Sequence, residues 1–138
     1  MAIEYFNKAY NYTVKLGSDD YKLKILLTEL SELYLKIDYV KSIECLDKIL
    51  NWYITKGDIS NVIKTKKSIA DIYFDNDYLE EAYSVYVNIL EIINSNDKCI
   101  DVKRNIVERI GEIYCKKETI INLLELSKLY FSVGLWLF

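Results

Sequence analysis

Three stretches decide how this chain folds. They are Ser31-Glu32-Leu33-Tyr34-Leu35-Lys36-Ile37-Asp38-Tyr39-Val40-Lys41-Ser42-Ile43, Ala70-Asp71-Ile72-Tyr73-Phe74-Asp75-Asn76-Asp77-Tyr78-Leu79-Glu80-Glu81-Ala82, and Gly111-Glu112-Ile113-Tyr114-Cys115-Lys116-Lys117-Glu118-Thr119-Ile120-Ile121-Asn122-Leu123. Each opens on a small residue, has a tyrosine three positions on, and closes on a packing residue. Ser31, Ala70 and Gly111 are separated by 39 and 41 positions, and Tyr34, Tyr73 and Tyr114 keep the same uneven step. Ala2 extends the third ladder, standing 41 positions before Ile43. The turn signals Leu16-Gly17-Ser18, Lys56-Gly57-Asp58 and Asn94-Ser95-Asn96-Asp97 fall on the same beat. Shared spacing across independent ladders marks an internal repeat of ~40 residues, with units near 1–18, 19–57, 58–96 and 97–138.

Within a unit, apolar residues recur at three and four, as in Ile25, Leu26, Leu30, Leu33 and again in Ile43, Leu46, Ile49, Leu50. That period is helical. Short polar turns, Lys36-Ile37-Asp38, Asp75-Asn76-Asp77 and Lys116-Lys117-Glu118, divide each unit into a helix pair. Asp77 with Glu80 three residues on reads as a capping box. The predicted helices cover 1–16, 20–36, 39–55, 59–75, 78–94, 98–116 and 119–132. The small ladder residue admits a close helix contact, and the tyrosine one turn later fills the gap beside it. The expected fold is all-α: one domain over 1–138, a right-handed superhelix of about seven antiparallel helices of tetratricopeptide type. The unit is longer than the usual ~34 residues, and the usual closing proline is missing.

Composition agrees. The 138 residues contain no proline and four glycines, too few breakers for an all-β sandwich or a Gly-rich phosphate loop. There is no histidine, which removes the commonest general base and the Ser-His and Cys-His nucleophile pairs. Adjacent carboxylates such as Asp19-Asp20 and Glu80-Glu81 do not share a helix face and read as caps and surface charge. No enzymatic activity and no cofactor are expected. Cys45, Cys99 and Cys115 are an odd count without a CxxC pair, as reduced thiols in a cytoplasmic protein would be. The start Met1-Ala2-Ile3-Glu4 has no basic and apolar leader pattern. The net charge of −3 argues against nucleic acid as a partner.

From Ile43 the chain reads Ile-Glu-Cys45-Leu46-Asp-Lys-Ile-Leu-Asn-Trp-Tyr53, then Lys56-Gly57-Asp58, Lys64, and Ser68-Ile69-Ala70-Asp71-Ile72-Tyr73. This resembles the soluble NSF attachment proteins, the α-SNAP family, at the same ungapped spacing. Ala2, Phe6, Ala9 and Leu16 fall in the family's register upstream, as do Glu80-Glu81-Ala82 and Tyr86 downstream. The resemblance thins beyond about residue 100. It implies a non-enzymatic adaptor in vesicle fusion and intracellular transport, one that lies along a SNARE bundle and recruits the ATPase NSF. It also implies a basic face for an acidic coiled coil. Lys64 matches a family lysine, Lys66 and Lys67 extend its charge, and Lys103, Arg104 and Arg109 add more one unit later. Glu81 departs from the pattern, because the family has a SNARE-binding lysine there. The acidic, leucine-ended segment that engages NSF has no counterpart. The chain is therefore expected to occupy a SNARE bundle without supporting ATP-driven disassembly by itself.

A second reading is a peptide-sensing regulator or a general interaction scaffold, with Asn61, Asn88 and Asn122 as candidate peptide contacts. The charge-free run Leu129 to Phe138 offers a surface for self-association or for peripheral contact with a membrane.

Overall fold

The computed structural model describes residues 2–17, 20–96 and 100–137; of these, the side chains of Ile100, Leu126 and 129–137 are not described. The described residues are helical throughout, with short turns and no strand. Six helices follow in order: α1 (Ala2–Lys15), α2 (Asp20–Leu35), α3 (Tyr39–Lys56), α4 (Ile59–Asp75), α5 (Leu79–Asn96) and α6 (Ile100–Leu137). Two compact units are present, Met1–Lys98 with α1 to α5, and Cys99–Phe138 with α6.

In the first unit each helix packs on its neighbour in sequence. The turns after α2, α3 and α4 are two or three residues long, which leaves successive helices antiparallel. Their chemistry is local. Asp38 (φ −150°) caps α3 by accepting the Lys41 backbone N–H, and Asp58 caps α4 by accepting that of Asn61 at 3.2 Å. These bonds satisfy donors that have no partner inside the helix. Helices α3 and α4 end alike. Gly57 (φ 69°) donates to the Ile54 carbonyl while Asp58 donates to Tyr53; Asp77 (φ 63°) donates to Phe74 while Tyr78 donates to Tyr73. Both are Schellman closures, one built on glycine and one on an aspartate that tolerates the left-handed region. Asp77 thus ends α4, and Tyr78 directly precedes α5, which carries Glu80 in its first turn. Asn94, Ser95 and Asn96 also differ from expectation: they form the last turn of α5, with Ser95 Oγ donating to the Glu91 carbonyl. Asp97 lies outside the described residues.

Among the described residues of this unit, two apolar clusters form part of the core. Leu27, Leu30, Cys45 and Ile49 form one, covered by Ile3, Phe6 and Tyr10 of α1 and by Tyr34. Ile43, Ile69 and Ile72 form the other, with Tyr39, Leu46, Leu50 and Tyr73 around it. The first two rungs of the ladders sit as expected: Ser31 and Ile43 are buried, and Ala70 and Ala82 are fully inaccessible. Ser42 Oγ donates 2.7 Å to the Ser31 carbonyl and locks the α2–α3 hairpin at its small-residue contact. The Tyr34 hydroxyl accepts from Asn7 Nδ2 of α1 at 2.8 Å. Between α4 and α5, the buried Tyr86 hydroxyl donates to Asp71 Oδ1, whose other oxygen receives Lys67 Nζ at 2.8 Å.

The third rung corrects the prediction. Lys116-Lys117-Glu118 is not a turn, and the helices expected at 98–116 and 119–132 are one helix, α6. The described residues therefore form six helices, not seven. The reason is in the turn itself. Lys, Lys and Glu are good helix formers, whereas the real turns carry Gly57, Asp38, or Asp75-Asn76-Asp77. Thr119 Oγ1 donates to the Cys115 carbonyl at 2.8 Å, following the helix straight through. Gly111 is exposed, and an added Cβ there would meet nothing within 4 Å, so it makes no close contact. Tyr114 and Leu123 are 58% and 61% exposed, unlike the buried Ala82.

Candidate functional site

The basic residues singled out from the sequence do not form one face. Lys64 is exposed on α4. Lys66 is two positions on, about 200° around the helix, and donates its Nζ to Asn88 Oδ1 of α5. Lys67 is held by Asp71, four residues along α4, with both side chains 26% exposed. A half-exposed pair of this kind contributes at most ~1 kcal/mol, but it commits the ammonium. That pairing was legible in the sequence as an i,i+4 spacing. On α6, Lys103 and Arg104 are exposed and Arg109 approaches Glu112 at 3.5 Å. Of the six, Lys64 and Arg104 have neither a side-chain hydrogen bond nor a salt bridge among the described residues.

The candidate asparagines are partly occupied too. Asn61 donates Nδ2 to Asp58 Oδ2 at 2.7 Å, and Asn88 accepts from Lys66. Asn122 is exposed on α6. The side-chain and backbone N–H groups of Asn61 hold the Asp58 carboxyl below its ordinary value, and the charges of Lys64 and Lys24 add to this. Cys45 is buried, which pushes its thiol pKa up and keeps it unreactive, and Cys115 is exposed. Cys99 lies outside the described residues. Among the described residues no group of three or more Cys, Asp or Glu side chains is placed to hold a metal ion. No described helix is long and apolar enough to cross a membrane. The chemistry of the run Leu129 to Phe138 lies outside the described side chains, although its backbone continues α6 to Leu137.

What the first unit does present is grooves. One of about 390 Å³ runs between α2, α3 and α4, where Glu32, Asp71 and Asp75 stand beside Thr28, Ser31 and Ser68. A second, of about 430 Å³, lies over α3, α4 and α5 and is lined by Tyr39, Tyr73, Tyr78, Glu44, Asp47 and Glu81. A third of similar size shares Asp47 and Tyr73 with it and continues to Lys66 and Asn88. Sequence reasoning missed the second groove. Its signal was present: Tyr39 and Tyr78 are separated by 39 positions, the step of the Tyr34–Tyr73 ladder. Only the fold brings Glu44, Asp47 and Glu81, which lie up to 37 positions apart, to one trough.

Compared with known proteins, the chain matches no family model, no curated protein and no solved structure.

Proposed function

We propose that this chain is a non-enzymatic protein-interaction adaptor built from repeated helix hairpins, and that its first partner to test is the one implied by the SNAP resemblance. The observation that supports an adaptor is the repetition of α2–α3 in α4–α5: the same small-residue contact, the same tyrosine one turn on, and a polar turn between. Stacked hairpins of this kind extend into tetratricopeptide-type superhelices, whose exposed faces and grooves suit extended or helical segments of other proteins. The partner in the SNAP reading is an assembled SNARE bundle, with an NSF-type ATPase acting on it. Lys64 and Arg104 are the cations free to attract such an acidic coiled coil. The reading places the protein in the cytoplasm, working at membranes through its partners and not through an inserted segment.

The test is retention of a purified, assembled SNARE bundle on the immobilised chain at low salt, followed by addition of NSF and ATP. Retention supports the SNAP reading. Absence of retention at low salt overturns it and leaves the scaffold with a different partner.

A further inference from the structure

Among the described residues, one aromatic cluster holds a cation of the protein's own and another does not. Between α2 and α3, the Lys24 ammonium lies 5.0 Å, 5.4 Å and 5.5 Å from the ring centroids of Tyr21, Trp52 and Tyr53. It also donates to the Tyr53 hydroxyl. Over α3, α4 and α5, Tyr78 stands against both Tyr39 and Tyr73, with centroids 5.8 Å and 6.4 Å apart. The neighbouring Tyr78 hydroxyl, with burial adding to its effect, pushes the Tyr39 phenol up to about 12, so it stays neutral at physiological pH. Among the described residues no cation lies over Tyr39, Tyr73 or Tyr78.

The charge around this second cluster is one-sided. Glu44, Asp47 and Glu81 line the same groove, and among the described residues none of them takes part in a salt bridge. Partial burial pushes the Asp47 carboxyl above its ordinary value, and the neighbouring Glu44 charge pushes it further. The one lysine in the adjoining groove, Lys66, is turned to Asn88. Electron-rich ring faces beside unpaired carboxylates attract a cation twice over, through the ring quadrupole and through Coulomb attraction. The groove floor includes Val40 and Ile43, and the adjoining groove adds Leu50, Ile69 and Val85. A trough with a cation-attracting end and an apolar continuation is longer than a single small cation needs.

We propose that this groove binds a basic, amphipathic segment of a partner protein, seating a lysine or arginine against Tyr39, Tyr73 and Tyr78 and pairing it with Glu44, Asp47 and Glu81. The inference rests on the reading of the chain as a protein-binding scaffold, not on the SNARE partner. It assigns a site of opposite charge to the one the SNAP resemblance implies.

The test is fluorescence anisotropy of a labelled peptide alternating arginine and leucine, with a glutamate–leucine peptide as control. The arginine peptide binds and the glutamate peptide does not. Tyr78→Ala and Glu81→Gln each weaken binding about ten-fold, the scale of one partly desolvated cation contact. Glu29→Gln, an exposed carboxylate on α2 outside the groove, leaves binding unchanged, and circular dichroism shows all three variants equally helical. The proposal is overturned if Glu29→Gln weakens binding as much as Glu81→Gln, since the attraction is then general charge. It is also overturned if the arginine peptide fails to bind, or if spermine displaces it at equal concentration, which makes the groove a site for small polycations. None of these results bears on SNARE retention, so the two readings fail separately.

Discussion

Helices α4 and α5 and the single helix α6 carry the same ladder and do different things with it. Ala70, Tyr73 and Ala82 sit in a hairpin whose turn is Asn76-Asp77-Tyr78. Gly111, Tyr114 and Leu123 sit on a helix that passes through Lys116-Lys117-Glu118 without turning. A ladder of packing residues states which positions would meet if the chain reversed. It does not make the chain reverse. Reversal needs a residue that ends the helix, and Asp77 at φ 63° is one. Nothing in Lys116-Lys117-Glu118 ends a helix: each of the three propagates it at little cost.

The largest expected effect breaks this contrast directly. Glu118→Pro removes a backbone donor from inside α6 and sets a ring against the preceding turn, costing ~3 kcal/mol locally. Helicity by circular dichroism should fall, and amides around residues 112–118 should lose hydrogen-exchange protection. If position 118 were a turn, proline would be tolerated there and neither signal would change.

Next comes the pair Ala70→Leu and Gly111→Ala. Ala70 is fully inaccessible, so three added carbons overpack the contact and cost about 1–3 kcal/mol in a urea melt. A Cβ on Gly111 meets nothing within 4 Å, so alanine there only gains helix propensity, about 1 kcal/mol in favour of α6. Two positions on one ladder should thus respond with opposite signs. Destabilisation by Gly111→Ala would show that its rung is packed after all.

How much was legible follows the same line. The five helices of the first unit were readable to within two residues, because Gly57, Asp38 and Asp58 are chemical stop and start signals as well as ladder positions. The merged α6 was not, because the ladder spacing runs on through Lys116-Lys117-Glu118, where no residue ends a helix. At the candidate site, the charge of Lys66 and Lys67 was readable, but the partner of Lys66, Asn88 on α5, exists only once α4 and α5 pack. Proximity of groups 22 positions apart belongs to the fold, and no local pattern announces it.

A smaller effect tests the caps that the first unit has and the centre of α6 lacks. Asp58 accepts from Asn61, and these bonds hold its carboxyl below the ordinary carboxylate value. The sign follows: a lowered folded-state pKa contributes stability above the unfolded value and loses it as pH falls through the folded one. Asp58→Ala should lower the urea midpoint at neutral pH and change it little once the carboxyl is protonated. Asp58→Asn keeps an acceptor and should flatten that part of the acid profile. An unchanged profile in Asp58→Asn would mean that other carboxylates carry it.

The smallest expected change in stability separates the basic residues of the two regions. Lys64 on α4 and Arg104 on α6 are exposed and outside the salt bridges, so Lys64→Glu and Arg104→Glu should each move stability by no more than about 0.5 kcal/mol. Lys67→Glu is a poor probe by comparison, because it breaks the bond to Asp71 and sets two carboxylates together. With folding held constant, binding is what remains to differ. Against an assembled SNARE bundle, a single exposed charge is worth at most ~1 kcal/mol, so Lys64→Glu should weaken retention a few-fold at low salt. The loss should fade near physiological ionic strength, where screening acts over about 8 Å. If Arg104→Glu weakens retention and Lys64→Glu does not, the interface lies on α6 and the hairpins only support it. If neither matters at low salt, charge is not the attraction, and the exposed apolar residues Ile120, Leu123 and Leu124 become the surface to mutate next.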